Sequence, residues 1–338
     1  MTDALTLPID DLDLAAIPQG TRQHLSLTVA SDIGCPLALP AMLVKGSAPG
    51  PTLLAVAGVH GNEYEGMEAI RTVFTALNPA AMRGTFFAIP VANPLAYAAR
   101  TRATPAAIDG LNLARVFPGS VSGTLTPRLA HHLLALVERH VGPDDLFIDF
   151  HSGSEDVAFA TLVGFRDVYS PARQRSEEAA RHFGIPLLWR IPDSAGPFNA
   201  ETARRGIPTI GTETTGRAGF DPGGFQAFVA GLQNTLTFLG ITAEPRPPRL
   251  SIPARATVDI AARTGGFFRP TFALHDEVRA GDLIGPVTDT WGAMVDEITS
   301  PVSGTIWACR ATPAVRPGEM VAMIALAATG DYEDGAHV

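Results

Sequence analysis

The sequence predicts an α/β protein with a mixed open sheet, helices on both faces, and a small β domain after it. Up to residue 243, apolar runs that end in turn residues alternate with segments of helical periodicity. Residues 244–250, EPRPPRL, carry prolines that break regular structure and predict a linker. Residues 251–330 change to short strand-like segments and turns. The chain is therefore predicted to divide into residues 1–243, the linker, and residues 251–330.

The first part is predicted to alternate strands with helices. Apolar runs predict strands over 53–57, 84–92, 146–150 and 207–214, and helical spacing predicts helices over 65–77, 128–140, 170–183 and 223–239. Before them, residues 24–30 and 37–45 predict an antiparallel pair at a sheet edge. Pro40 restricts the second of these strands to an edge or a bulge, because proline has no N–H to donate. Residues 95–124 lack periodicity, which in a compact domain indicates a functional or a disordered segment.

The C-terminal part is predicted to be built from short strands. These cover residues 257–262, 267–274, 282–288, 293–299, 304–309 and 320–325. The segments SPVSGTI and VRPGEMVAMI resemble half of the barrel-sandwich of biotinyl and lipoyl-like domains. Those carriers attach their cofactor to a lysine, whereas the single lysine of this chain is Lys45. The sequence therefore excludes a carrier and predicts a structural role, such as walling a site or assisting assembly.

Composition restricts the class of partner. A formal net charge of −9 over 338 residues argues against nucleic acid or an anionic membrane as the main partner. No apolar run reaches the length of a membrane span and the N-terminus lacks a signal pattern, so the expected location is the cytoplasm. Cys35 and Cys309 are the only cysteines, which excludes a disulfide framework and a thiolate zinc cluster. Whether the chain forms a homo-oligomer is left open.

Two imidazoles and a carboxylate follow predicted strands. His60 and Glu63 lie between strand 53–57 and helix 65–77, and His151 directly follows strand 146–150. Open α/β sheets bind ligands at the carboxyl ends of their strands, and this donor set suits a three-ligand zinc site with a fourth position open to water. Each motif alone has an ordinary explanation, such as an acidic residue in the first turn of a helix. Glu213 after a third strand strengthens the prediction of a site.

Five motifs carry a family resemblance. GVHGNEYEG, NPLAYAARTR, DGLNLARVFPG, DFHSGS and TETTG occur in this order between about residues 58 and 216. Together they resemble the succinylglutamate desuccinylase/aspartoacylase family, a branch of the zinc carboxypeptidase-like hydrolases. Within that family, the DGLNL-type motif is similar to that of bacterial members connected with deacetylation of N-acetyl-diaminobutyrate. The resemblance implies a zinc carboxypeptidase-like fold for the first part of the chain.

The resemblance also implies roles for particular residues. His60, Glu63 and His151 would hold one Zn²⁺. Glu213 matches the catalytic glutamate that takes a proton from the zinc-bound water and passes it to the leaving amine. Arg102 matches the arginine that stabilises the tetrahedral oxyanion. The residues alone leave open whether Asp149 orients a ligand imidazole or caps a loop.

Recognition of the substrate carboxylate is where the sequence departs from the family. Arg115 matches the arginine that clamps this carboxylate. The family motif has an asparagine directly before that arginine, but this chain has Ala114. Asn112 is a candidate replacement if the loop is rewound, and Arg100, two residues from Arg102, is a further candidate for substrate binding.

The predicted function is a zinc-dependent amidohydrolase that cleaves an N-acyl amino acid or a similar small amide. Two alternatives remain open at this point. One is a metallocarboxypeptidase acting on peptides, which residue-level evidence does not exclude. The other is a catalytically silent binding protein on the same fold. Ala114 is the only sequence feature that favours this alternative.

Overall fold

Eleven strands precede residue 256 in the computed structural model, which describes residues 4–32, 34–244 and 249–327. In chain order they are β1 (Leu5–Pro8), β2 (Thr21–Asp32), β3 (Cys35–Lys45), β4 (Ala48–Val56), β5 (Arg83–Ile89), β6 (Leu146–Phe150), β7 (Val157–Phe159), β8 (Leu162–Arg166), β9 (Leu188–Ile191), β10 (Thr209–Glu213) and β11 (Ala254–Arg255). Within the described residues, all of them except β7 pair in the order β1-β2-β3-β5-β4-β6-β10-β8-β9-β11. The pairs β5-β4, β4-β6 and β6-β10 are parallel, whereas β2-β3, β3-β5 and β10-β8 are antiparallel. The sheet is mixed, as the sequence predicts.

Helices cover both faces of this sheet. They are α1 (Glu65–Ala76), α2 (Pro94–Ala99), α3 (Leu125–His140), α4 (Arg173–Phe183), α5 (Phe198–Arg204) and α6 (Pro222–Phe238). Alternate residues of β4 show why both faces need cover. Leu53 and Ala55 pack into the core with α1, α4 and α6, whereas Leu54 and Val56 pack into the core with α3. Helices on both faces of the sheet are thereby confirmed.

The four long helices were predictable and the two short ones were not. α1, α3, α4 and α6 repeat an apolar stripe over several turns, and they begin and end within about three residues of the predicted bounds. α2 and α5 have six and seven residues, too few to repeat a stripe. The segment 95–124 was predicted to be irregular, but it begins inside α2 and holds a 3-10 helix at Leu113–Arg115. Among the described residues, no helix combines the length and apolar character needed to cross a membrane.

The position of Pro40 departs from the simplest expectation. β3 is an interior strand, because β2 pairs with it on one side and β5 on the other. Pro40 lies opposite Ser26 of β2, whereas β5 pairs only with the segment from Met42 to Lys45. The partner strand on the β5 side therefore stops short of the proline, which occupies a local edge within an interior strand.

The C-terminal part forms two further sheets. Its strands are β12 (Thr257–Ala261), β13 (Gly266–Phe268), β14 (Glu277–Val278), β15 (Leu283–Thr288), β16 (Met294–Thr299), β17 (Gly304–Arg310), β18 (Ala314–Val315) and β19 (Met320–Leu326). Within the described ranges, one sheet has the order β12-β19-β17-β14 and the other β16-β15-β13-β18. Ile306 and Ile324 of the first sheet share one core with Phe268 and Val287 of the second. β13 is shorter than predicted, and Pro270, which lacks an N–H, follows it closely.

The two parts of the chain exchange strands. β7, from the first part, pairs antiparallel with β17, so that Phe159 lies opposite Ala308. In return β11, which follows the predicted linker, pairs with β9 of the large sheet. Of that linker, residues 245–248 lie outside the described residues, as do 1–3 at the start of the chain and 328–330 at the end of the predicted β domain. These exchanged strands hold the C-terminal sheets beside the carboxyl edge of the large sheet.

Candidate active site

The loop from β4 to α1 places His60 and Glu63 at the carboxyl edge of the large sheet. Gly58 turns the chain out of β4 with a φ of 67°, a conformation that glycine adopts without strain. Gly61 lies against α2, where a Cβ atom would come within 2.0 Å of the Ala96 carbonyl carbon. Only glycine fits this contact, which holds the loop close to α2. His60 and Glu63 are consequently buried, with exposed fractions of 2% and 4%.

His151 and Glu213 reach the same edge from the two neighbouring strands. β6 lies between β4 and β10, and all three run parallel, so their carboxyl ends lie side by side. His151 directly follows β6, and its N–H donates to the carbonyl oxygen of Thr212 at 3.2 Å. Glu213 is the last residue of β10. The predicted convergence of these side chains follows directly from the order of the strands.

The three predicted ligands surround one point. Nδ1 of His60 lies 2.7 Å from Oε1 of Glu63, and Nδ1 of His151 lies 3.0 Å from Oε2 of the same carboxylate. One donor atom from each of the three residues lies within 4.8 Å of the others, close enough for a shared metal ion. This is the only group of metal-binding side chains of this kind that the described residues form.

The second nitrogen of each imidazole has a partner that fixes the ring. Nε2 of His60 lies 3.1 Å from Oδ1 of Asn112, and Nε2 of His151 lies 3.3 Å from Oδ2 of Asp149. Asp149 is fully buried and also accepts a hydrogen bond at 2.9 Å from Nδ2 of Asn199. A hydrogen bond at Nε2 keeps the proton there and leaves Nδ1 free to bind a metal. Of the two roles that the sequence left open for Asp149, the structure places its carboxylate against the His151 ring.

The donor set fits zinc. Nδ1 of His60 is buried and has no hydrogen-bond partner among the described residues, although Oε1 of Glu63 is close. Such an atom is costly to bury unless something binds it. Two imidazole nitrogens and one carboxylate form a ligand set that catalytic zinc sites use, with a further position left for water or substrate.

The surroundings of His60 and His151 shift their pKa values in opposite directions. Burial lowers the pKa of His60 to about 4, against the attraction of Glu63, so this imidazole is neutral at pH 7. Burial disfavours the charge on Glu63 as well, but His60 and the hydrogen bond from His151 hold the pKa of this carboxyl well below its ordinary value. Burial also disfavours a charged His151, yet Asp149 and Glu63 raise the pKa of His151 well above its ordinary value. A metal ion must therefore displace a proton from His151, so metal binding should weaken as the pH falls.

The arginines of the 95–124 segment occupy different positions. Nη1 of Arg102 donates to Oε1 of Glu63 at 2.8 Å and also to the Ser154 hydroxyl, which places its guanidinium beside the candidate metal centre. Arg115, Asn112 and the buried Ala114 line the same cavity. Arg100 ends α2 with a φ of 57° and is exposed, and it does not line this cavity. Substrate contact by Arg100 stays a prediction.

Glu213, a predicted catalytic residue, lies in an environment that shifts the pKa of its carboxyl group. Oε2 of this carboxyl is buried and has no hydrogen-bond partner within the described part of the chain. Burial, against the attraction of His151, raises the pKa of Glu213 to about 8. A carboxyl that titrates near neutral pH can both accept and return a proton under working conditions. The geometry and the pKa therefore suit Glu213 to general acid–base chemistry.

The pKa of Glu213 predicts how metal-stripped protein responds to pH. Because the folded chain binds this proton more tightly than the unfolded chain, whose glutamate titrates near its ordinary 4.5, the free energy of unfolding should fall as the pH rises from about 4.5 to about 8. Glutamine at position 213 does not titrate, so Glu213→Gln should not show this fall in the free energy of unfolding. We expect its melting temperature to exceed that of the wild type by about 2 °C or more at pH 9, with a smaller gap at pH 5.

Thermal melts after chelation test this expectation. Glu201→Gln is the matched control, because its carboxylate pairs with Arg204 at the surface and it should follow the wild type across this range. A gap between Glu213→Gln and the wild type that stays constant from pH 5 to pH 9 would show that Glu213 does not titrate as described.

A cavity of about 840 Å³ opens above these residues. The large sheet supplies the floor with His60, His151 and Glu213. The C-terminal sheets and the turns beside them supply part of the wall; these residues are Asp259, Arg310, Glu319, Met320 and Met323. The volume lies in the range of small-molecule sites, so a substrate of amino-acid size fits inside.

Two further residues at this site escaped sequence analysis. Arg166 ends β8 and lines the cavity, and Asn199 in α5 links it to Asp149. An arginine that closes the apolar segment LVGFR is a signal that could have drawn attention to Arg166. Asn199 gives no such signal, because α5 is too short for a helical pattern.

The fold and the site define an α/β protein with a three-ligand candidate metal centre at the carboxyl edge of its sheet. Residues 49–239 match the sequence profile described as the succinylglutamate desuccinylase/aspartoacylase catalytic domain. The chain belongs to this family, and the resemblance carried by its motifs is confirmed.

Relatives cover most of the chain. An N-alpha-acetyl-L-2,4-diaminobutyric acid deacetylase from Halomonas elongata is 28% identical over 298 residues, which cover 85% of each protein. A succinylglutamate desuccinylase/aspartoacylase from Rhodobacter sphaeroides has a crystal structure with a TM-score of 0.83 and 26% identity, covering 96% of this chain and 98% of that one. The product-bound structure of the ectoine utilization protein EutE (DoeB) from Ruegeria pomeroyi shares the fold, with a TM-score of 0.81 and 24% identity over 92% of this chain and 98% of that one.

Proposed function

We propose that this chain is a zinc-dependent amidohydrolase that cleaves the amide bond of an N-acyl amino acid or a similar small amide. The observation that carries the proposal is the convergence of His60, Glu63 and His151 on one point. This point adjoins a cavity lined by His60, His151, Glu213 and Arg102. The related Halomonas elongata protein is a deacetylase of an N-acetyl amino acid, which supports the same reaction class here.

The residues of the site have separate proposed roles in amide hydrolysis. His60, Glu63 and His151 hold the zinc ion, which when bound polarises a carbonyl oxygen and activates water at neutral pH. The Glu213 carboxylate accepts a proton and returns it to the nitrogen of the leaving amine, as its position beside the candidate metal centre allows. The Arg102 guanidinium, held beside Glu63, donates to the oxygen on which negative charge develops.

The remaining parts of the cavity position the substrate. Arg115 is proposed to bind a substrate carboxylate, and the Nδ2 amide of Asn112 remains available because its Oδ1 is engaged by His60. Residues 1–243 would then form the catalytic domain, and residues 251–330 a domain of barrel-sandwich type that walls the site and lacks a carrier lysine. A cytoplasmic location and the absence of nucleic-acid and membrane partners stay predictions from composition.

Release of free amine from a substrate panel tests the proposal. The panel contains N-acetyl, N-succinyl and N-formyl amino acids, with Nα-acetyl-2,4-diaminobutyrate among them, and short peptides. We expect hydrolysis of a small N-acyl amino acid that stops on chelation and returns when zinc is restored, because the metal is part of the site.

The panel also separates the alternatives. Chelator-sensitive release of C-terminal amino acids from peptides alone would replace the deacylase by a carboxypeptidase. No turnover of any member, by protein that contains stoichiometric zinc, would contradict the proposed reaction class. Hydrolysis that survives complete removal of metal would contradict the zinc-dependent mechanism.

A further inference from the structure

Arg166 is a buried arginine with neutral hydrogen-bond partners. Its exposed fraction is 8%. Its Nε donates to Oδ1 of Asn199 at 2.6 Å, and its Nη1 donates to the Pro192 carbonyl oxygen at 2.7 Å and to the Ser194 hydroxyl at 3.1 Å. Within the described residues no carboxylate lies within 4.0 Å of it, although buried charges are ordinarily paired. Arg166 therefore places a positive charge in the cavity wall, and no carboxylate of the described residues is in ion-pair contact with it.

The hydrogen bonds of Arg166 leave one end of the guanidinium open. They use Nε and Nη1, and none of those within the described part of the chain uses Nη2. Three contacts to a strand-following loop and to α5 fix the plane of the group. A rigid guanidinium of this kind binds an anion at a low entropic cost, since its rotamer is already set.

A second arginine lies near enough to repel Arg166. Burial lowers the pKa of Arg166 to about 10; Asp149 and Asp193 oppose this shift from beyond ion-pair distance, and the charge of Arg115 contributes to it. Arg166 remains charged at pH 7 despite this repulsion. Arg115 also lines the cavity, and its Nη1 donates to the carbonyl oxygen of Ala114 at 2.9 Å. Two like charges on one cavity wall favour an anion that binds both.

We propose that Arg166 and Arg115 together bind the carboxylate of the substrate, with Arg166 replacing the amide that is absent at Ala114. Ala114 offers only a methyl group to the cavity, so it contributes no hydrogen bond to a ligand. Arg166 reaches the same cavity from the end of β8 and supplies the missing donor at Nη2. This inference rests on the proposed function, and it makes Arg166 a specificity-determining residue.

Matched substrates with and without the carboxylate test the assignment. The zinc-loaded full chain is assayed with Nα-acetyl-2,4-diaminobutyrate and with its carboxamide. For Arg166→Gln we expect kcat/KM on the acid to fall about 10- to 100-fold, mainly through KM, as for the loss of a hydrogen bond between charged groups. On the carboxamide we expect less than about a threefold change. Arg166→Lys keeps the charge and should restore part of the preference for the acid.

A control variant separates a direct effect of Arg166 in the cavity from an effect through the loop that it contacts. Arg204 binds Asp193 on the same loop, from outside the cavity, so Arg204→Gln should leave the preference for the acid unchanged. Equal losses on the acid and the carboxamide for Arg166→Gln would overturn the proposal, because they would mean that Arg166 acts through Asn199 and Asp149 on His151. Zinc content, measured in parallel, would fall in that case.

Binding to chelated protein keeps the inference testable if the reaction class is wrong. Calorimetric titration should show that Arg166→Gln binds the acid more weakly than the wild type does. Binding of the carboxamide should be the same for both proteins. Equal binding of the acid by wild type and variant would overturn the inference whatever the catalytic result. An N-succinyl amino acid amide identifies the source of the carboxylate, because sensitivity to Arg166→Gln with this compound would place the carboxylate of the acyl group at the two arginines.

Discussion

Glu213→Gln should lower kcat about 10²- to 10⁴-fold on the amide substrate while zinc stays bound at one ion per chain. Glutamine has nearly the same size as glutamate but cannot accept the proton. Glu213 is not among the three residues that surround the candidate metal position, so the ion should remain. Steady-state kinetics and metal analysis on the same preparation measure both quantities.

A surface carboxylate provides the control for this substitution. Glu201 pairs with Arg204 away from the cavity, and Glu201→Gln should keep both turnover and zinc. Normal turnover by Glu213→Gln would mean that another group moves the proton, and the assignment would then be wrong. Loss of zinc along with turnover would mean instead that Glu213 is part of the metal site.

His60→Ala should remove both the metal and the activity. Nδ1 of His60 lies 2.7 Å from Oε1 of Glu63, and its loss leaves two ligands where a catalytic zinc site ordinarily has three. Loss of an outer partner of a metal ligand costs about 10- to 100-fold in affinity, so loss of a ligand itself should exceed about 100-fold. Competition with a zinc chelator at pH 7 measures the change.

A histidine outside the site serves as the comparison. His131 in α3 does not line the cavity, and His131→Ala should bind zinc as the wild type does. If His60→Ala held stoichiometric zinc with unchanged affinity, His60 would not be a ligand. The group formed by His60, Glu63 and His151 would then need another explanation.

The candidate metal site could be predicted from the sequence because its residues are tied to strand ends by short covalent connections. His151 is the residue after β6, Glu213 is the last residue of β10, and the loop with His60 and Glu63 follows β4. Parallel neighbouring strands bring their carboxyl ends together, so a position within a few residues of a strand end already determines which edge of the sheet the side chain reaches. The same local patterns predicted the long helices, since each repeats its apolar stripe over several turns.

The tertiary structure alone decided which distant residues complete the site. It placed Arg102 beside Glu63 and left Arg100 exposed, although both come from the segment 95–124, which has no periodic pattern. It joined Arg166 to Asn199, which lie 33 residues apart. It also brought the C-terminal sheets to the cavity through β7 and β11. The physical reason is that these contacts join side chains from elements that are far apart in the sequence. Hydrophobic periodicity and turn residues predict local structure and give no information about such contacts.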